Sequence, residues 1–208
     1  MLQIIPALLV AITVVIQCLA VQMSRYRLSR MNARPPHHGL ALMSGMLAAA
    51  AIILRLYQND SAVGVLFMTI MTGCMTLMTL TDAASCRLPR PFTIMYLISG
   101  SAFRLWQGDW LTGLCSAGFW FLLLLLFRQY TSYRRKTETI GLGDVFLIAG
   151  IAIWSPPGDI PWIVATAAGG ALLYLWRNRQ RRITRELPFG PFLCASQYAF
   201  TFYPGGLW

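Results

Sequence analysis

Two carboxylates and two glycines are the residues of this chain best suited to do chemistry. In Gly141-Leu142-Gly143-Asp144 the aspartate stands just ahead of an apolar run with glycines baring the backbone beside it, and Asp82 closes another apolar run. A pair of carboxylates that share a proton can hydrolyse a peptide bond, one activating water while the other protonates the carbonyl oxygen. Like charges held that close titrate in coupled steps. Glycines at 141 and 143 would let a substrate backbone lie against the loop with no side chain between. Each acid also has a simpler reading: Asp144 as the N-cap of the helix that follows, Asp82 as the solvated end of the helix before it. Capping accounts for Asp144 but not for Asp82, whose charge would meet the negative end of its own helix dipole. A compensating partner is expected there.

The elements that must hold these acids follow from composition. Of the 208 residues, 57% are apolar and 12% charged, against about 45–50% apolar in soluble domains, so the bilayer is the expected solvent. Apolar runs lie at 2–22, 39–56, 61–81, 92–106, 110–127, 145–160, 162–176 and 189–203. They predict an all-α, polytopic membrane protein of about eight transmembrane helices, built as one membrane-embedded domain over 1–208. The runs at 92–106, 162–176 and 189–203 fall short of the roughly 20 residues of a straight span and must recruit flanking residues or cross a thinner region. Alternate connections hold 15 of the 17 Lys and Arg, which places those connections in the cytoplasm and both termini outside. Both aspartates then fall on the cytoplasmic side. Arg55 and Arg104 are the exceptions, expected to snorkel from the outer ends of their spans.

Other features have plain structural explanations. The net charge of +10 follows from the positive-inside bias and attraction to anionic lipid, so no nucleic-acid partner is expected. The five cysteines form no CxxC pair, and His37-His38 stand without further ligands nearby, so neither a disulfide framework nor a metal site is encoded. With no basic residue before it and no small-residue cleavage pattern closing it, the first span reads as a retained anchor. In the third span, Thr69, Thr72, Thr76 and Thr79 form a stripe that leads down to Asp82, and Met68, Met71, Met75 and Met78 form a second. The threonines either line a path to the carboxylate or bond their own backbone. The methionines either receive a varied apolar helix or fill core gaps. Gly113, Ala117 and Gly118, and the small residues from Ala165 to Ala171, permit close helix approach.

Three blocks together resemble the type IV prepilin peptidases, GxGD-class membrane aspartic proteases. They are Asp82-Ala83-Ala84-Ser85-Cys86-Arg87-Leu88-Pro89, Gly141-Leu142-Gly143-Asp144, and Glu186-Leu187-Pro188-Phe189-Gly190-Pro191-Phe192-Leu193. The resemblance covers about residues 60–195 and implies that Asp82 and Asp144 are the catalytic pair. By the same resemblance, Gly141, Gly143, Glu186, Pro188 and Gly190 shape the site. It implies an endopeptidase of the bacterial cytoplasmic membrane that removes the leader from prepilin or pseudopilin precursors, using neither metal nor nucleotide, with the substrate's apolar helix and membrane lipids as partners. Two departures stand out. The segment from Ser24 to His38 lacks the paired CxxC motifs linked in many members to N-methylation, and Phe146 replaces a lysine two residues after the second aspartate. The alternative is a transporter or a non-catalytic pilus or secretion assembly protein using the two aspartates for protons or docking. Acids of proton-coupled transporters lie near the bilayer midplane beside broken helices, whereas here they stand at helix ends.

Overall fold

The computed structural model describes residues 4–31, 38–57, 61–135, 141–177 and 187–202, and every element among them is a helix. The order is α1 (Ile4–Arg30), α2 (His38–Tyr57), α3 (Ala62–Ser85), α4 (Arg90–Gln107), α5 (Trp110–Arg135), α6 (Leu142–Trp154), α7 (Ile160–Arg177) and α8 (Gly190–Thr201). Each predicted apolar run has its counterpart in one helix, although the run at 145–160 overshoots α6, which ends at Trp154. By length and composition, four (in α1, α2, α3 and α5) suffice to cross a membrane, and α6 is a shorter apolar helix.

Local chemistry sets the boundaries. Ser61 caps α3, its hydroxyl accepting the Gly64 N–H at 3.1 Å. Cys86 ends that helix in the left-handed region at φ 49°, a conformation that closes the last turn through its N–H to the Asp82 carbonyl. Pro89 and Pro91 then start α4, where a missing N–H costs nothing. Helix α6 begins earlier than the apolar run suggests: Gly141 is its N-cap, and Asp144 lies in the first turn rather than at the cap. It stops at Ser155, before Pro156 and Pro157.

Four helices form a ring around the bundle centre. α3 packs on α4, α4 on α6, α6 on α8 and α8 on α3, while the diagonal backbones of α3 and α6, and of α4 and α8, stay apart. α1 lies along α3 in the same direction, since Thr13 meets Thr69 and Gln17 meets Thr72. α5 lies against α6, and α7 against α8. The end of α3 and the starts of α4, α6 and α8 therefore share one end of the bundle.

Glycines bring α4 and α6 together. A Cβ on Gly150 would stand 2.5 Å from the Tyr96 ring, and one on Gly100 would stand 2.8 Å from Trp154 Nε1. Each aromatic thus fills the hollow opposite, and the Trp154 indole donates to the Tyr96 carbonyl at 3.1 Å. Across the α4–α8 diagonal, Tyr96 Oη donates to Gln197 Oε1 at 2.6 Å. The methionine stripe is wholly core, with Met68, Met71, Met75 and Met78 at most 1% exposed. It fills gaps between the chain's own helices. The outward faces of α2, α5 and α7 are the reverse, with Met46, Phe119, Leu126 and Trp176 exposed, as lipid-facing surfaces are.

Arg55 and Arg104 depart from the expected snorkelling, since both are buried among helices. Arg104 donates to the Ile153 carbonyl at 2.8 Å and the Ser155 carbonyl at 3.0 Å, and pairs with Asp109 at 3.3 Å. It thereby covers the C-terminal carbonyls of α6, where a cation also suits the helix dipole. Gly113 makes room for its stem: a Cβ there would stand 2.9 Å from Arg104 Cγ. Arg104→Leu should strand two buried carbonyls and destabilise the bundle by about 3 kcal/mol. Thermal unfolding in detergent should drop by several degrees, with Arg104→Lys recovering only part because it lacks the planar fork. An unchanged midpoint would mean that the α6 terminus is satisfied otherwise.

Candidate active site

Asp82 lies in the last turn of α3 and is only 3% exposed. Its compensating partner is the start of α8: the Gly190 N–H donates to Asp82 Oδ2 at 2.8 Å. Gly190 is the first residue of α8, so its N–H has no partner within the helix and the positive end of the α8 dipole faces the carboxylate. The α3 dipole repels this charge and the α8 dipole attracts it. A side chain at 190 does not fit, because a Cβ would stand 2.8 Å from Asp82 Oδ2 and 3.2 Å from its Cγ.

Asp144 approaches from the opposite corner of the ring. It occupies the first turn of α6, half-buried, with its N–H bonded to the Gly141 carbonyl at 3.1 Å. The charge of Asp82 is felt at Asp144. Because the α3 and α6 backbones remain apart, any approach of the two carboxylates at this end of the ring is made by their side chains.

The glycines of this motif serve close approach within the protein. A Cβ on Gly143 would stand 2.8 Å from Leu88 Cβ, so the α6 turn rests on the connection that follows Asp82. A Cβ on Gly141 would stand 3.1 Å from Asp144 Oδ2. Gly143 is thus occupied by Leu88 rather than open to a substrate backbone, while Gly141 is exposed. Leu88 and Pro89 also acquire separate tasks, one packing on Gly143 and the other starting α4. Pro188 is half-buried in the turn before α8, and Glu186 lies outside the described residues. Phe146, in place of the lysine, packs its ring against Phe121 of α5 at 5.3 Å.

Several residues that support the pair were not legible beforehand. Cys194, one turn into α8, is buried near Thr79 and Asp82. Tyr96 and Gln197 tie α4 to α8. Their partners lie 101 positions apart in sequence, and only the long separation hid them. The threonine stripe divides: Thr69 bonds the Val65 carbonyl and Thr72 the Thr69 carbonyl, yet their hydroxyls also receive Thr13 and Gln17 of α1.

Two of the three blocks, those that hold Asp82 and Asp144, fall within a known family. The model of the type IV leader peptidase family matches residues 69–176, a span that takes in Asp82, Leu88, Gly143 and Asp144. The chain belongs to the type IV leader peptidase family. Two proteins described as prepilin leader peptidase/N-methyltransferase, from Burkholderia pseudomallei strains 1026b and K96243, are each 33% identical to this family member over 175 residues. The match covers 79% of this chain and 53% of theirs. This leader peptidase family chain therefore spans about half the length of the curated relatives it matches. No solved structure matches it.

Proposed function

We propose that this chain is a membrane aspartic endopeptidase that cleaves the leader from type IV prepilin or pseudopilin precursors at the cytoplasmic face of the bacterial inner membrane. Asp82 and Asp144 are its catalytic pair, sharing one proton. One carboxylate takes a proton from water as it attacks the scissile carbonyl, the other protonates the carbonyl oxygen, and the departing amine collects a proton as the tetrahedral intermediate collapses. Gly141, Gly143, Pro188 and Gly190, with Glu186 beside them in sequence, shape the site. What carries the reading is that Asp82 and Asp144 stand at the same end of a helical ring, on opposite corners, in a member of the leader peptidase family.

All eight helices cross the membrane in this reading, as a single domain over 1–208 with both termini outside. The orientation is supported by the arginines at the aspartate end, among them Arg27 and Arg30 of α1, Arg90 of α4 and Arg177 of α7. An inserting prepilin helix would lie in lipid beside the ring and present its leader junction to the two aspartates. The proposal is confined to leader cleavage, because Ser24–His38 holds no cysteine pair of the kind linked to methyl transfer. Its test is cleavage of a co-expressed prepilin by the full chain, comparing the unaltered protein with Asp82→Asn and Asp144→Asn.

A further inference from the structure

A line of buried polar groups runs from Asp82 into the bundle between α1, α3 and α8. Thr79, one turn before Asp82 on α3, and Cys194 of α8 lie near the carboxylate. One turn further in, the Thr76 hydroxyl lies beside the Tyr198 hydroxyl, which itself donates to the Thr72 carbonyl at 3.3 Å. From α1, Gln17 Nε2 donates to Thr72 Oγ1 at 3.2 Å. Two helices, α1 and α8, thus direct polar groups at the same turn of α3, Thr72 to Thr76. All are deeply buried: Thr72 and Thr76 are 0% exposed, Tyr198 2% and Gln17 9%.

Two atoms in this cluster are left over. Gln17 Oε1 and Thr76 Oγ1 are buried with no hydrogen-bond partner of good geometry. Each such group costs about 1–3 kcal/mol if nothing meets it; Gln17 and Tyr198 both bond Thr72, on the same turn as Thr76, so the three groups together offer the two to four partners that an internal water requires. Apolar isosteres at both positions would have avoided the cost. The neighbouring Met71, Met75 and Met78 show that α3 is apolar where it faces the rest of the core.

We infer that the turn Thr72–Thr76 of α3 binds internal water, held by Gln17 Oε1, the Thr76 hydroxyl and the Tyr198 hydroxyl, and that this water joins through Thr79 and Cys194 to the core side of Asp82. The ligand class is water, and Thr76 and Gln17 are positioning residues. The hydrated line keeps a polar contact on the core side of the carboxyl, so that Asp82 holds one orientation as its proton comes and goes. This role rests on the peptidase reading, whereas the water site itself does not.

Radiolytic hydroxyl-radical labelling of the full chain in detergent tests the site without reference to activity, because radicals formed from bound water oxidise the side chains that touch it. Tyr198 should be oxidised despite its burial, and the Gln17→Leu/Thr76→Val double variant should lose that labelling while exposed Tyr133 keeps its own. No labelling of Tyr198 in the unaltered chain, or equal labelling in the double variant, overturns the proposal. Cleavage of a prepilin peptide then tests the link to Asp82: Thr76→Val should lower kcat several-fold with little change in KM, and Thr76→Ser should restore it. An unchanged kcat in Thr76→Val overturns that link. Persistent cleavage by Asp82→Asn instead removes the peptidase reading and leaves the labelling result standing.

Discussion

Asp82→Asn and Asp144→Asn should each reduce prepilin cleavage by at least about 10²-fold, the usual worth of a positioned acid or base, while both variants still insert and fold. Asparagine keeps the size and one carbonyl oxygen of the carboxylate but cannot exchange a proton. At position 82 it can still accept the Gly190 N–H, so the α3–α8 junction survives and the loss is chemical. The double variant should be scarcely worse than either single one, because a shared proton makes the pair one unit. Cleavage by the unaltered chain should follow a bell in pH. Activity falls on the acid side as the base takes up its proton, and on the alkaline side as the acid loses the proton it must donate. Normal cleavage by either single variant would remove the proposed function, and a flat profile across the acid and neutral range would remove the shared proton.

Gly190→Ala should cost nearly as much by a different route. The added methyl would stand 2.8 Å from Asp82 Oδ2, 3.2 Å from its Cγ and 3.3 Å from its Cβ, so turning the carboxylate in place does not clear it. Either Asp82 rotates away from Asp144 or the start of α8 withdraws, and both break the 2.8 Å bond from the Gly190 N–H. Misplacing a reacting group by about 1 Å can cost about 10²-fold. The loss should fall on kcat more than on KM, since the substrate helix is held elsewhere. Gly169→Ala is the matched control: no atom lies within 4 Å of a Cβ there, and alanine favours the helix by about 1 kcal/mol. Equal activity for Gly190→Ala and Gly169→Ala would show that α8 does not hold the carboxylate.

The helices were legible because an apolar run in lipid has little choice but to satisfy its backbone internally. Each of the eight runs has a helix, although the run at 145–160 overshoots the end of α6 at Trp154, and Asp144 sits in the first turn of α6, with Gly141 taking the cap. The fates of the methionine and threonine stripes were not legible. Periodicity gives a face and a direction but not an occupant. The methionines proved to face the chain's own helices, and the threonines both their own backbone and the polar side chains of α1. Arg104 was read from its depth as a snorkelling cation, whereas the nearby carbonyls of α6 offered partners that no local pattern could reveal.

Composition and local motif alone determined that the chain is helical and suited to a bilayer, and that Asp82 and Asp144 stand at helix ends in blocks like those of leader peptidases. These follow from solvent and spacing, which act along the chain. Only the tertiary structure decided that Asp82 and Asp144 share one end of the bundle, that Gly190 of α8 neutralises the dipole clash at Asp82, and that Gly143 admits Leu88. Such pairings join residues as much as 108 positions apart, as Gly190 and Asp82 are. They depend on which helix faces pack, a choice made by the interlocking of side chains such as Tyr96 and Trp154 with Gly150 and Gly100 rather than by any one segment.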